Sequence, residues 1–340
     1  MNSAVALATA GLILSVGATA AFASPAKAKA KAKGPSAKVV NTISSGGLTP
    51  HFIGVDNRTN KLFISHLAQG TLSVVNPKNG QLLYTINLGG VVHTVLVDQV
   101  TQTVYVADVA GGLVDVINAK TYALEARISV GGNPHGLALS NSLHELYVSN
   151  VGTSQVDIIS IPSNVVQATI NVGPNPWGVS YDSTTHMLYS ANTGISLTGV
   201  KNPAGDSITE INPKTDTVVN TITVGAYPWW AQADSTNGTI YVGLSGAAEV
   251  AVVKGGMVTQ DIPVGASPHG LGLDKKSKLL FANDSASNQV SVISTKSNEV
   301  VTTLPTGTQP QGVAVDPKTG YVYVANQGSA NVTVIKITSK

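Results

Sequence analysis

The chain has 340 residues, 43% of them hydrophobic and only 11% charged, with no cysteine and a formal net charge of +2. Without cysteine there is no disulfide framework, no lipid-modified cysteine anchor and no thiolate chemistry. Five lysines (Lys27, Lys29, Lys31, Lys33 and Lys38) precede residue 41 in a stretch without acids; taking these five from the 20 basic residues leaves 15 against 18 acidic ones, a net of −3. With Arg58 and Arg127 as the only arginines, a face that tracks phosphates is disfavoured for the folded part.

In chain order, residues 1–23 carry no charged side chain and close on Ala21-Phe22-Ala23 before Ser24-Pro25. An apolar run ending on small residues is the pattern of a signal peptide, although the usual Lys or Arg near its start is missing. The expectation is export, to a periplasmic, secreted or cell-surface location. Residues 24–38, rich in Ala and Lys, read as a solvated, disordered spacer. No later apolar run is long enough to span a bilayer as a helix, so the mature chain is expected to be soluble.

From residue 39 the chain is periodic. Pro50-His51, Val92-His93, Pro134-His135, Pro176-Trp177, Pro228-Trp229, Pro268-His269 and Pro310-Gln311 follow one another at 42, 42, 42, 52, 40 and 42 residues. An aromatic series, Phe63, Tyr105, Tyr147, Tyr189, Tyr241, Phe281 and Tyr323, keeps the same intervals. Apolar residues alternate within each unit and turn residues interrupt them every 8 to 12 positions, which is the pattern of strands. In the last unit 312–316, 321–326 and 331–337 read as three strands, and 166–172, 218–224 and 300–304 read as fourth strands of their units. Four-stranded units of this length cannot bury both faces alone and stack radially. The fold expected is all-β: a seven-bladed β-propeller over 39–340, with repeats starting near 50, 92, 134, 176, 228, 268 and 310. The chain ends after three strands of the last unit, so 39–44 is expected to supply the missing fourth strand and close the ring.

The second strands carry Tyr105-Val106-Ala107-Asp108, Tyr147-Val148-Ser149-Asn150, Tyr189-Ser190-Ala191-Asn192 and Tyr323-Val324-Ala325-Asn326. Phe281-Ala282-Asn283-Asp284 is looser, and Phe63-Ile64-Ser65-His66 and Tyr241-Val242-Gly243-Leu244 lose the Asn. These motifs resemble the YVTN β-propeller repeat family. The resemblance covers residues 39–340 and implies the fold; for function it implies only a range, from surface-layer components and nucleic-acid binders to relatives of propeller lactonases and lyases.

The loop before each first strand and the loop between second and third strands are expected on one face, the top. There His51, His93, His135 and His269 would ring the channel mouth, with Trp177, Trp229, Trp230 and Gln311 in the other blades. Converging neutral imidazoles can hold a divalent metal, and His66, Asp108 and Asp284 could add ligands. The competing expectation is that these histidines pack within the repeat, as do the strand-ending Asp108, Asn150, Asn192 and Asn326. His144 and His186 are expected on the opposite face, and Asp56, Asp98, Asp182, Asp234, Asp274 and Asp316 as turn caps.

Blade four exceeds its neighbours by ten residues within Thr193 to Asp206, and all three tryptophans fall beside that insertion. An insertion on one face of a repeat array often marks the binding face. The candidate ligand-binding residues are therefore Trp177, Trp229, Trp230, Asn192 and Gln311. The sequence contains no phosphate-cradling glycine loop, no His-Glu-x-x-His and no Gly-x-Ser-x-Gly elbow. The leading expectation is a non-catalytic scaffold that takes a protein, glycan or small molecule at its top face, with monomer as the default state. The alternatives are a metal-dependent lyase or lactonase using the histidine ring, and single-stranded nucleic-acid binding, which the charge disfavours.

Overall fold

A computed structural model describes residues 35–338, and builds them into 28 strands. The strands form seven separate four-stranded antiparallel sheets. In blade one, β2 (Pro50–Asp56), β3 (Lys61–His66), β4 (Thr71–Val75) and β5 (Leu82–Asn87) lie in order from the axis outward. The first strands of neighbouring blades touch one another around the axis. The expected fold is therefore the observed one, a seven-bladed β-propeller.

Blade seven consists of β26 (Pro310–Asp316), β27 (Tyr321–Asn326), β28 (Asn331–Thr338) and, at its outer edge, β1 (Ser36–Ser44). The ring is closed by the N-terminal strand. That strand starts at Ser36, three residues ahead of the run legible in the sequence, because a bulge at Val40 interrupts its alternation. Val39 lies opposite Ile335 and Asn41 opposite Val334, so Val40 swings out and is 43% exposed, while Ala37 packs on Ile335 and Ile337. The last part of the 24–38 segment is thus strand; residues 1–23, and the rest of that segment up to Gly34, lie outside the described residues.

The core is divided rather than central. Seven clusters of buried residues each sit between two neighbouring blades. The aromatic series explains much of this: Phe63, Tyr105, Tyr147, Tyr241 and Phe281 are among the largest fully buried side chains. Burial of one such aromatic contributes about 2 to 3 kcal/mol, and the repeat supplies one per interface.

The turns repeat as strictly as the strands. The carboxylates of Asp56, Asp98, Asp182, Asp234, Asp274 and Asp316 each accept from a backbone N–H two or three residues further on. On the other face, the residue after each second strand donates its N–H to the residue before the first strand, as in Leu67 to Thr49 at 3.1 Å and Val109 to Val91 at 2.8 Å. Those two loops therefore share one face in every blade.

Candidate functional site at the channel mouth

At the start of each first strand the pairing with the second strand slips by one position, between Pro50 and Ile53 in blade one and between Pro134 and Leu137 in blade three. A bulge re-aims the side chains beside it, and here it brings the residue after each proline to the axis. The glycine that follows in four blades is forced by the neighbouring blade: a Cβ on Gly136 would lie 2.6 Å from the Trp177 carbonyl oxygen, and one on Gly312 2.7 Å from that of His51. Gly136→Ala is expected to cost about 2 to 3 kcal/mol by overpacking, read as a lower urea midpoint at unchanged slope.

The seven side chains so placed, six rings and Gln311, follow one another in a course around the axis. His51 and His93 stand with centroids 4.2 Å apart, His93 and His135 3.4 Å, His135 and Trp177 4.3 Å, and Trp177 and Trp229 4.2 Å. Trp229 stacks on His269 at 4.4 Å with 6° between planes, and His269 Nδ1 meets Gln311 Oε1 at 2.8 Å. Side chains from the preceding blade's second strand hold the course from behind: Ser65, Ser149 and Asn283 donate to the carbonyls of His93, Trp177 and Gln311. Below it, Phe52 and Trp230 take positions that are glycine in four blades and pack on each other across the channel at 5.1 Å. Under them lies a cavity of about 170 Å³, lined by Leu96, Leu137, Leu271, Val313 and Gln232 among others.

Burial keeps the imidazoles neutral. It is the main cause that pushes His51 down to about 3 and His269 to about 4, and neighbouring His269 adds to it at His51. His93 and His135 are held well below 6.5 by burial first and by the other histidines second. His51 Nε2 and His93 Nε2 approach to 2.7 Å, so one must donate and the other accept, and the pair holds a single proton between its facing nitrogens. Two nitrogens bound to one tetrahedral metal ion at 2.0 to 2.1 Å would stand about 3.3 Å apart. The His51 and His93 rings meet edge-on at 67° and those of His93 and His135 are tilted at 43°, while His269 lies apart against Trp229 and Gln311. Among the described residues no group of three or more His, Asp or Glu side chains is arranged to hold a metal ion.

The other sequence candidates fall away from the ring. His66 is buried and bonds Leu48 O and Ser73 Oγ, while the Asp108 carboxylate accepts from the N–H groups of Val91 and Gly111. Asp284 accepts from Gln289 and Ser291, and burial raises it to about 6. Asn192 is fully buried and donates to Ser207 and Thr209, so its amide is engaged inside the blade. Trp230 faces the channel interior rather than the mouth. Phe52 was not singled out from sequence; the loss of glycine after His51, His93 and Trp229 was the available signal.

The insertion in blade four folds back on itself. Ile195 bridges to Lys201, the Ser196 N–H donates to Val200 O at 3.0 Å, and the Asn202 N–H donates to Gly194 O at 2.6 Å. Trp177 Nε1 donates to Ile195 O at 2.8 Å, and Lys201 pairs with Asp206 at 3.1 Å and lies 4.3 Å above the Tyr227 ring. The loop is thereby pinned beside the ring, with Leu197 38% and Val200 67% exposed. Trp177, Trp229, His269 and Gln311, on the same side of the mouth, are half-buried, whereas His51, His93 and His135 are buried.

Fold and mouth together define a seven-bladed β-propeller whose channel is lined at one end by a neutral His–Trp–Gln course. No family model and no curated protein matches the chain. Among solved structures it is similar to Kuenenia stuttgartiensis hydrazine synthase, with a TM-score of 0.74 and 18% identity, over 88% of this chain and 98% of that one. At that identity the likeness shows the fold alone.

Proposed function

We propose that this chain is an exported, non-catalytic propeller of the YVTN repeat type that binds a partner through its top face, at the insertion of blade four and the half-exposed tryptophans beside it. The observation that carries this reading is the asymmetry of the mouth. Its histidine side is buried and packed shut, while the Trp177–Trp229 side stays accessible next to Leu197 and Val200. Aromatic faces beside an apolar loop suit stacking on a sugar ring or an apolar peptide side chain. Export rests on the charge-free apolar segment 1–23 and its small-residue end.

The test is tryptophan emission of the full chain, titrated with chitin- and cellulose-derived oligosaccharides and with an apolar, aromatic-rich peptide. At least one probe is expected to shift the emission saturably, and Trp229→Ala or Leu197→Asp to weaken it by about tenfold or more. No response to any probe, together with stoichiometric metal in the purified protein, would replace this reading by the metal-dependent one.

A further inference from the structure

On the bottom face, two slots between neighbouring blades are capped by the turn that joins the third and fourth strands of the following blade. The capping residue has a positive φ: Tyr122 (64°) in blade two and Asn298 (53°) in blade six, a conformation shared by Asn164 and Asp216 at the same turn position of blades three and four. Tyr122 shows what a full slot looks like. Its ring stacks on Tyr84 at 5.2 Å and meets Phe63 edge-on at 6.3 Å, and Lys61 Nζ donates to its hydroxyl at 2.6 Å. Between blades five and six, Asn298 accepts from Tyr241 at 3.0 Å and from Gln260 at 3.0 Å.

Blade five departs from this pattern. Its third strand (Glu249–Lys254) and fourth strand (Met257–Pro263) are joined by Gly255 and Gly256 alone, which accounts for the 40-residue step in the repeat. Lys254 pairs with Met257, as Asn118 bonds Ala123 in blade two, so Gly256, at φ 78°, stands where Tyr122 stands. A Cβ on Gly256 would meet only the Asn220 side chain, at 3.2 Å, and Asn220 occupies the position of Tyr84. In blade one the equivalent Gly80 has no such room, its Cβ falling 2.9 Å from Ile43 and Ser44.

The slot between blades four and five is therefore a cleft of about 410 Å³, within the size range of small-ligand sites. Val219, Ile222, Ile240 and Val253 make its apolar walls. Tyr189, the counterpart of Phe63, donates its hydroxyl to Glu210 Oε1 at 3.0 Å. Glu210 Oε2 takes no hydrogen bond among the described residues and remains an acceptor in the cleft, whose lining also includes Thr185, Asn220 and Lys254.

We infer that this cleft is a docking site for a tyrosine side chain presented by a partner polypeptide, which fills the place Tyr122 fills from within the chain in the blade one–two slot. The ring lies against the valine and isoleucine walls and the phenol hydroxyl donates to Glu210. The site is on the face opposite the tryptophans, so it stands or falls separately from the top-face reading.

The experiment uses the full chain and N-acetyl-tyrosinamide, followed by saturation-transfer NMR, with the phenylalanine and leucine amides for comparison. Saturable binding with a Kd on the order of 1 mM is expected for so small a probe. The phenylalanine amide is expected to bind about tenfold more weakly for want of a charge-assisted hydrogen bond, and the leucine amide weaker still. Gly256→Tyr fills the slot from within and should abolish binding without lowering Tm, since Tyr122 tolerates the same backbone conformation. Glu210→Gln should remove the preference for tyrosine over phenylalanine, and Trp229→Ala should change nothing. Unaltered binding in Gly256→Tyr, or no tyrosine preference in the parent chain, overturns the assignment; if Gly256→Tyr does not fold, Glu210→Gln decides.

Discussion

Lowering the pH from 7 to 5 is expected to remove at least about 3 kcal/mol of stability, a large share of what a domain of this kind possesses. The cause is the channel mouth. An unfolded histidine takes up a proton near 6.5, whereas folded His51 does so only near 3 and His269 near 4, with His93 and His135 well below 6.5. Between those values the unfolded state binds more protons, so stability is fully present above 6.5, falls as pH drops and levels off near 4 for His269 and 3 for His51. His51 and His269 each contribute about 2 kcal/mol of loss between pH 7 and 5, and His93 and His135 add to it in the same direction. Asp284 acts in the opposite sense: raised to about 6 when folded, it protonates first in the native state and returns about 1 kcal/mol over the same range. The geometry agrees, since protonating both members of the His51–His93 pair would set two N–H groups against each other across 2.7 Å. Urea unfolding at pH 7, 6 and 5 measures the slope. His269→Gln, which copies the residue blade seven already uses, should take away about 2 kcal/mol of that loss; a stability that rises or stays flat toward pH 5 would contradict the burial of the ring.

Removing residues 36–44 is expected to destroy cooperative folding rather than merely lower Tm. β1 pairs with β28 from Ser36 opposite Thr338 to Ser44 opposite Asn331, and it is the only outer strand of blade seven. Without it β28 becomes an open edge beside the blade seven–one interface, where Ile43 lies 5% exposed among Val332, Val334 and Ile64. An unpaired strand of that kind recruits other chains. The truncated chain should therefore form soluble aggregates on size-exclusion chromatography. Ile43→Ala isolates the packing part of the effect and should cost about 3 kcal/mol. A monomeric, cooperatively unfolding truncated chain would show that the ring does not depend on this closure.

The strands were legible from sequence because their signal is local. Alternation of period two and turn residues recur seven times and the Asp cap six times, with Ser140 in its place in blade three, and each blade contains the residues that define it. The closing strand was legible for a related reason, since Val39-Val40-Asn41-Thr42-Ile43 repeats the fourth-strand pattern, although the bulge at Val40 hid its first three residues. The insertion in blade four was also plain as a break in spacing. The 40-residue step was equally visible but silent: that Gly256 leaves a cleft follows only from seeing Tyr122 and Asn298 fill the equivalent slots.

The mouth of the channel divides the two kinds of information most sharply. The sequence by itself determined that one residue per blade, from His51 to Gln311, would reach a common ring, because repeat spacing and closure fix position. How the four imidazoles are set against one another, three edge-on or tilted in a row and His269 apart from them, is visible only in the tertiary structure. The bulge at each first strand sets the side-chain direction, the neighbouring blade sets the spacing, and residues 42 positions apart meet through neither local pattern nor propensity. The same holds for Phe52 and Trp230, whose contact spans the channel between blades one and five.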